Sequence, residues 1–399
     1  MKIGILTYHA ACNFGANLQV LSTVEYFRRK GYDVEVINWF TDELENVYSK
    51  ATSEAQRLCH EKFRWQYLPM STRCRDEEDI ASVIEKDKIE AIVIGSDAVA
   101  QHHPVLSRII FPSRHIVSVK HITADRLFPN PYWGSFQPLL KTRIPMAMMS
   151  VSCQNSPYHF ISRKERMRMR HSVDQFAYIS TRDDWTSKMF EYITEGSITP
   201  PVSPDPVFAF NYNVRFVPSE EEIREKFNLE GKYILLSFHN SHTVSLRWLD
   251  EFEIKVKSAG FECVALPFPQ GIEFDNHLSH HVPLPLSPLD WYALIKYSSA
   301  YVGDNMHPIV VCLHNAVPCF SFDHYGIKGK ENSSKVYHIM KKYGLLDNRV
   351  SLVDNYKMPD VDFVLLKLRS FNQSSVKNTS QVQLYSYLNM MAEIERSLQ

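Results

Sequence analysis

The chain carries almost no net charge: 44 Lys and Arg stand against 45 Asp and Glu, a formal charge of -1. That balance removes the bulk electrostatic attraction on which nucleic-acid binding depends. No apolar run reaches the roughly 20 residues that a membrane-crossing helix needs. The opening residues, Met1 to Thr7, pass straight into a strand pattern without the apolar stretch and cleavage site of a secretory leader, so a cytoplasmic setting is expected. Seven cysteines, from Cys12 to Cys319, form no Cys-x-x-Cys pair and are odd in number. They point to reduced thiols rather than a disulfide framework or a zinc cage. Neither Gly-x-Gly-x-x-Gly nor a Walker phosphate loop occurs, which removes the dinucleotide fingerprint and the P-loop. The histidines show no metal-ligand spacing, and no metal site is expected.

What is present is ordinary globular composition, 44% hydrophobic and 22% charged, over 399 residues, a length for which two domains are the natural prior. Ile3 to Thr7 is a compact apolar run. From Ala16, Leu18, Leu21, Val24 and Phe27 fall on one helical face that ends in Arg28-Arg29-Lys30-Gly31, a basic last turn with a glycine stop. Val34 to Asn38 is strand again, so the chain opens as a βαβ unit of a parallel sheet. Further strands are expected at Ile89–Ile94, Pro145–Val151 and Phe176–Ser180, while residues 41–81 read as helical or loop insertions. The proline cluster Pro200 to Pro206 marks a boundary, after which Tyr233–Phe238, Phe261–Leu266, Ser298–Val302 and Val317–Phe322 start a second series. The expected division is 1–204, 205–375, and a tail helix, 376–399, able to pack back on the first part. The fold class expected is α/β, two Rossmann-like domains facing a cleft.

Ligands of such sheets gather at the strands' C-terminal ends, and polar residues found there are the candidates. Asn13 and Gly15 follow the first strand; Ser96 and Asp97 end the fourth predicted segment, where helix capping is the competing reading. Arg182 follows another strand and can fork onto a carboxylate or phosphate. His239-Asn240-Ser241-His242 occupies a strand-end loop. Asn305-Met306-His307-Pro308 stops a buried strand just where Pro308 starts an apolar helix, so His307 stands at an anion-favouring helix end, or else simply caps it. Arg163, Arg166 and Arg170 share a helical face suited to phosphate or anionic lipid headgroups, a route to peripheral membrane association, although a solvated basic face is the favoured reading. Residues 98–136, with His102, His103, His115, His121, Tyr132 and Trp133, suit carbohydrate or a structural excursion.

In order and spacing, Asn13-Phe14-Gly15-Ala16-Asn17-Leu18-Gln19, Gly95-Ser96-Asp97, Ser180-Thr181-Arg182-Asp183, Asp205-Pro206 and Ser287–Ile295 with Asn305-Met306-His307 resemble the polysaccharide pyruvyl transferases. The resemblance implies a GT-B-like pair of domains, the first on the acceptor side and the second on the donor side. It implies transfer of pyruvate from phosphoenolpyruvate to two hydroxyls of a sugar in a cell-surface polysaccharide precursor, forming a ketal and releasing phosphate. No cofactor is implied beyond phosphoenolpyruvate as co-substrate. His307 would be the acid/base and Arg182 would hold donor charge. Asn305, Met306 and His239 would complete the donor side, with Asn13, Gly15, Ser96 and Asp97 at the acceptor or cleft. The partners implied are phosphoenolpyruvate and a glycan acceptor, lipid-linked or free; oligomeric state stays open. Ala98, Ala100 and Pro308 depart from the family pattern. Two competing readings follow: a GT-B-like glycosyltransferase using a nucleotide sugar, and a non-catalytic glycan-binding member.

Overall fold

A computed structural model describes residues 1–113, 116–239, 243–329, 333–353 and 357–399; Asn240, Ser241, His242 and His115 lie outside the described residues. Two six-stranded parallel sheets organise the chain. The first contains β1 (Lys2–Leu6), β2 (Asp33–Trp39), β3 (Met70–Cys74), β4 (Ala91–Asp97), β5 (Met146–Val151) and β6 (Tyr178–Thr181). Their spatial order is β3-β2-β1-β4-β5-β6. The second contains β7 (Lys232–Ser237), β8 (Phe261–Ala265), β9 (His280–His281), β10 (Ala300–Gly303), β11 (Cys319–Asp323) and β12 (Arg349–Ser351), ordered β9-β8-β7-β10-β11-β12. Both sheets thus have the doubly wound strand order 3-2-1-4-5-6, as expected of two Rossmann-like halves flanking a cleft.

The central strands are apolar on both faces because helices cover both: Ile3, Ile5, Ile92, Val93, Met148 and Val302 are completely buried. The edge strands differ. β3 is Met-Ser-Thr-Arg-Cys, β9 is two histidines and β12 is Arg-Val-Ser. They join the sheets by backbone pairing with β2, β8 and β11, with Cys74 of β3 their one fully buried core side chain.

Six helices place the site: α1 (Phe14–Arg29), α2 (Glu54–Tyr67), α3 (Pro288–Lys296), α4 (Met306–Asn315), α5 (Lys335–Lys342) and α6 (Gln373–Ser397). Ser287 caps α3 by accepting from the Asp290 N–H, with Pro288 in the first turn. α1, α3 and α4 share one core across the two halves, in which Phe14 stacks on Trp291 at 5.1 Å between ring centroids. Fully burying such a ring contributes about 1.5–3 kcal/mol. α2 crosses to the other half. Gln56 accepts from the Leu286 N–H and donates to its carbonyl, both at 2.8 Å, and His60 joins Asn17 to the Pro269 carbonyl. α6 lies against the first half, with Tyr387 edge-on to Tyr26 and Glu395 accepting from the Tyr26 hydroxyl. No helix among the described residues is long and apolar enough to cross a membrane.

Candidate functional site

In a doubly wound sheet, the strand order reverses beside the first strand, and the splayed loops there leave a crevice. In the first half this point lies between β1 and β4; in the second it lies between β7 and β10. The two points face each other across a cavity of about 340 Å³, lined among others by Asn13, Asp97, Gln101, Asn305, His307 and Lys335. The helices that leave these points meet end to end, α1 from the first half and α4 from the second. The His307 imidazole lies directly over Gly15: a Cβ at residue 15 would sit 2.1 Å from the ring Cγ. Only glycine admits that approach, so Gly15 serves the close contact of the two halves rather than a ligand.

α4 begins at Met306, two residues earlier than Pro308 suggests, so His307 lies inside the first turn. Its cap residue, Asn305, makes no side-chain cap bond. Asn13, by contrast, caps α1 by accepting from the Ala16 N–H at 3.2 Å, and lines the cavity as well.

Arg182 lies behind this wall, and its charge is already matched. Its Nη1 reaches Asp205 at 2.9 Å and its Nη2 reaches Asp97 at 3.4 Å, with all three side chains largely buried. Gln19 also donates to Asp205, whose other oxygen accepts from the Val207 N–H. Burial works to raise the Asp97 pKa, but Arg182, His307, Lys335 and the Ala98 N–H outweigh it, so the net shift is downward and the group is ionised. A guanidinium fixed between two buried carboxylates braces the site; the expected role of gripping donor charge does not fit it.

His307 has no hydrogen-bond partner at Nε2 among the described residues. Burial takes its pKa down to about 4, which Asp205 and Asp97 only partly oppose. At neutral pH the ring therefore has a lone pair to offer and no imidazolium proton to hand over, the reverse of the acid expected for protonating an alkene.

The open cation is Lys335, at the start of α5, where burial with Arg182 nearby pushes its pKa down to about 8. It makes no ion pair among the described residues and sits over the Tyr325 ring at 4.3 Å. Its position is fixed from β11. The buried Asp323 carboxylate accepts from the Ser334 hydroxyl, from Arg349 at 2.6 Å and from the Tyr325 N–H at 2.8 Å, and Ser334 caps α5. Nothing in local spacing singles out a lysine behind a loop, so sequence reasoning passed over it. Asp304, beside the motif, was also missed. Burial raises its pKa to about 7 against the opposing His239 N–H and Thr243 hydroxyl, and it accepts from that N–H at 2.8 and 2.9 Å.

The remaining candidates are placed elsewhere. The His239 side chain is exposed, its ring edge-on against Phe268 at 5.1 Å and parallel to His324 at 6.3 Å in the second half. Met306 is buried and faces a second cavity of about 280 Å³ with Arg182 and Lys342. Ser96 is buried; its hydroxyl donates to the Ser150 carbonyl at 2.8 Å and ties β4 to β5. Ala98 lines the main cavity, while Ala100 is buried in the core.

The family model described as polysaccharide pyruvyl transferase matches residues 13–325. No curated protein matches the chain in sequence. Among solved structures, the UDP-GlcNAc 2-epimerase of Neisseria meningitidis, bound to UDP-GlcNAc, is similar with a TM-score of 0.54 at 9% identity, covering 98% of this chain and 100% of that one. A Listeria monocytogenes protein named for the same activity has 0.52 at 9%, covering 99% and 96%. A UGT transferase of Siraitia grosvenorii in complex with UDP has 0.51 at 10%, covering the whole of both chains. These likenesses establish the GT-B-like fold. They also correct the expected chemistry: two of these three structures are named for UDP-GlcNAc and the third holds UDP, and none is named for phosphoenolpyruvate. The committed Arg182 and the deprotonated His307 agree with that correction. Pyruvyl transfer, with phosphoenolpyruvate as partner and co-substrate, is therefore withdrawn.

Proposed function

The chain belongs to the polysaccharide pyruvyl transferase family, and from its cleft we propose an enzyme of GT-B-like build that binds a nucleoside-diphosphate sugar and transfers the sugar to a glycan hydroxyl. The observation that carries the reading is Lys335, without an ion pair among the described residues, and His307, unpaired at a buried Nε2, lining one cavity with the ionised Asp97. A diphosphate leaving group needs positive charge as the glycosidic C–O bond breaks, and Lys335 with the α4 N-terminus supplies it. The anomeric carbon then carries positive character that the Asp97 carboxylate offsets. The acceptor oxygen bonds to that carbon, the bonding pair leaves with the diphosphate, and the hydroxyl proton passes to His307 Nε2. We assign 205–375 to the nucleotide, 1–204 to the acceptor, and 376–399 to bracing the first part, all in the cytoplasm.

UDP-GlcNAc is the first probe because the Neisseria meningitidis structure is bound to it. In a thermal-shift series with nucleoside diphosphates, UDP-GlcNAc and phosphoenolpyruvate, the nucleotides should raise the melting temperature in a saturable way, and Lys335→Met should abolish the rise. Stabilisation by phosphoenolpyruvate alone overturns the reading.

A further inference from the structure

Beyond the cleft reading, and independent of which sugar it takes, we propose that the hairpin formed by Ile109–Ser113 and Ile116–Val119 docks the protein on an anionic lipid surface. The two strands pair only with each other and belong to neither large sheet. An isolated two-stranded hairpin is marginal in water and needs something to cover it. Val105, Leu106, Ile110, Val117 and Val119, on the hairpin and the turn of helix leading into it, are between 44% and 64% exposed. This is a concentration of outward apolar side chains, in contrast to the isolated ones that any surface carries.

Charge identifies the occupant. From Ala98 to Ala124 the sequence contains no Asp or Glu, while Arg108 and Lys120 flank the apolar residues. Apolar side chains ringed by cations, without acids, match an anionic bilayer interface, where each Lys or Arg near the surface adds about 1 kcal/mol, some fivefold in partition. A second copy fits less well, because a two-fold contact brings the same patch against itself and sets Arg108 and Lys120 near their own copies. Two of the three arginines on the basic helix face expected to meet lipid are already used: Arg166 and Arg170 both pair with Glu195, at 2.9 and 3.5 Å. Among the described residues, Glu43 meets His121 at 3.2 Å near the hairpin's base, and Glu165 meets His102, ahead of the hairpin in sequence, at 3.2 Å; neither pairs with Arg108 or Lys120.

Position gives the docking a purpose. Ala98 and Gln101, before the hairpin, and Arg126, after it, all line the main cavity. Seating the hairpin on lipid therefore brings the mouth of the cleft to the bilayer, where a glycan carried on a lipid presents its sugar.

The test is sedimentation of the full chain with vesicles of phosphatidylcholine alone, and of phosphatidylcholine with an equal part of phosphatidylglycerol. The wild type should bind the anionic vesicles and leave the neutral ones, with binding weakened by salt. The paired substitution Leu106→Glu and Val117→Glu should weaken binding at least tenfold, and Lys120→Glu about tenfold or more. Because all three positions are exposed, melting curves should match the wild type. Absence of binding by the wild type, or equal binding by the variants, overturns the proposal. So does a dimer in light scattering that Val117→Glu dissociates, which would make the hairpin a self-association surface. Nucleotide binding is read in a separate assay, so failure of either proposal leaves the other standing.

Discussion

Replacing Gly15 by alanine interrogates the contact on which the cleft is built. The added methyl would sit 2.1 Å from the Cγ of His307 and 2.3 Å from its Cδ2 and Nδ1. Ordinary carbon contacts begin near 3.5 Å, so the ring or the helix beneath it must retreat by about 1 Å or more. Neither yields easily. The ring is buried in the first turn of α4, and α1 is held at this end by its Asn13 cap and the Phe14–Trp291 stack. Overpacking of this kind costs about 1–3 kcal/mol. Urea unfolding should show Gly15→Ala losing stability in that range, and calorimetry should show it losing nucleotide-sugar affinity. A double-mutant cycle isolates the cause. If the clash is with the imidazole, Gly15→Ala combined with His307→Ala should recover about 1 kcal/mol or more relative to additivity. Strict additivity, or a Gly15→Ala protein as stable as the wild type, would refute the ring-over-glycine packing.

Arg182→Ala leaves the Asp97 and Asp205 carboxylates buried without their cation. It should cost about 3–5 kcal/mol in urea unfolding, far more than an exposed arginine would. Stability should also follow pH with opposite signs at two places. His9, His60 and His307 have folded pKa values of about 4 against 6.5 when free, so their contribution is complete above pH 6.5 and is lost as the pH falls toward 4. His307→Gln should flatten that limb by up to about 3 kcal/mol in a pH series of unfolding curves. Asp304 runs the other way. With a folded pKa of about 7 against 3.8, its contribution is complete below pH 3.8 and is lost as the pH rises to 7, so Asp304→Asn should gain on the wild type across that window.

Much of the fold is legible in the sequence because central parallel strands are apolar on both sides and stand out as short runs. The strand at Met146–Val151 and the one at Ala300–Gly303 are such runs. The edge strands β3, β9 and β12 are not, since Ser71, Arg73, His280 and Arg349 carry no apolar signal; they join by backbone pairing and by polar side-chain bonds, Ser71 accepting from the Asn38 N–H, His280 meeting Glu262 and Arg349 meeting Asp323. Asn13, Asp97, Asn305 and His307 announce themselves by following strands directly, and the structure gathers them at one cavity. What a linear reading misses is charge already spent. Arg182 stands at a strand end as a phosphate ligand should, but its partners lie 85 and 23 residues away in sequence. Likewise, the burial that deprotonates His307 comes from both halves together. Lys335 is identified only by contrast, as the cleft cation left over once Arg182 is matched.

The most direct measurement is calorimetric titration of the full chain and of Lys335→Met with UDP-GlcNAc and with phosphoenolpyruvate at pH 7. Saturable binding of the nucleotide sugar by the wild type, weakened about 10–100-fold in the variant as expected for loss of a charged hydrogen bond, with no binding of phosphoenolpyruvate, is the predicted result. Saturable binding of phosphoenolpyruvate with none of the nucleotide sugar would contradict it.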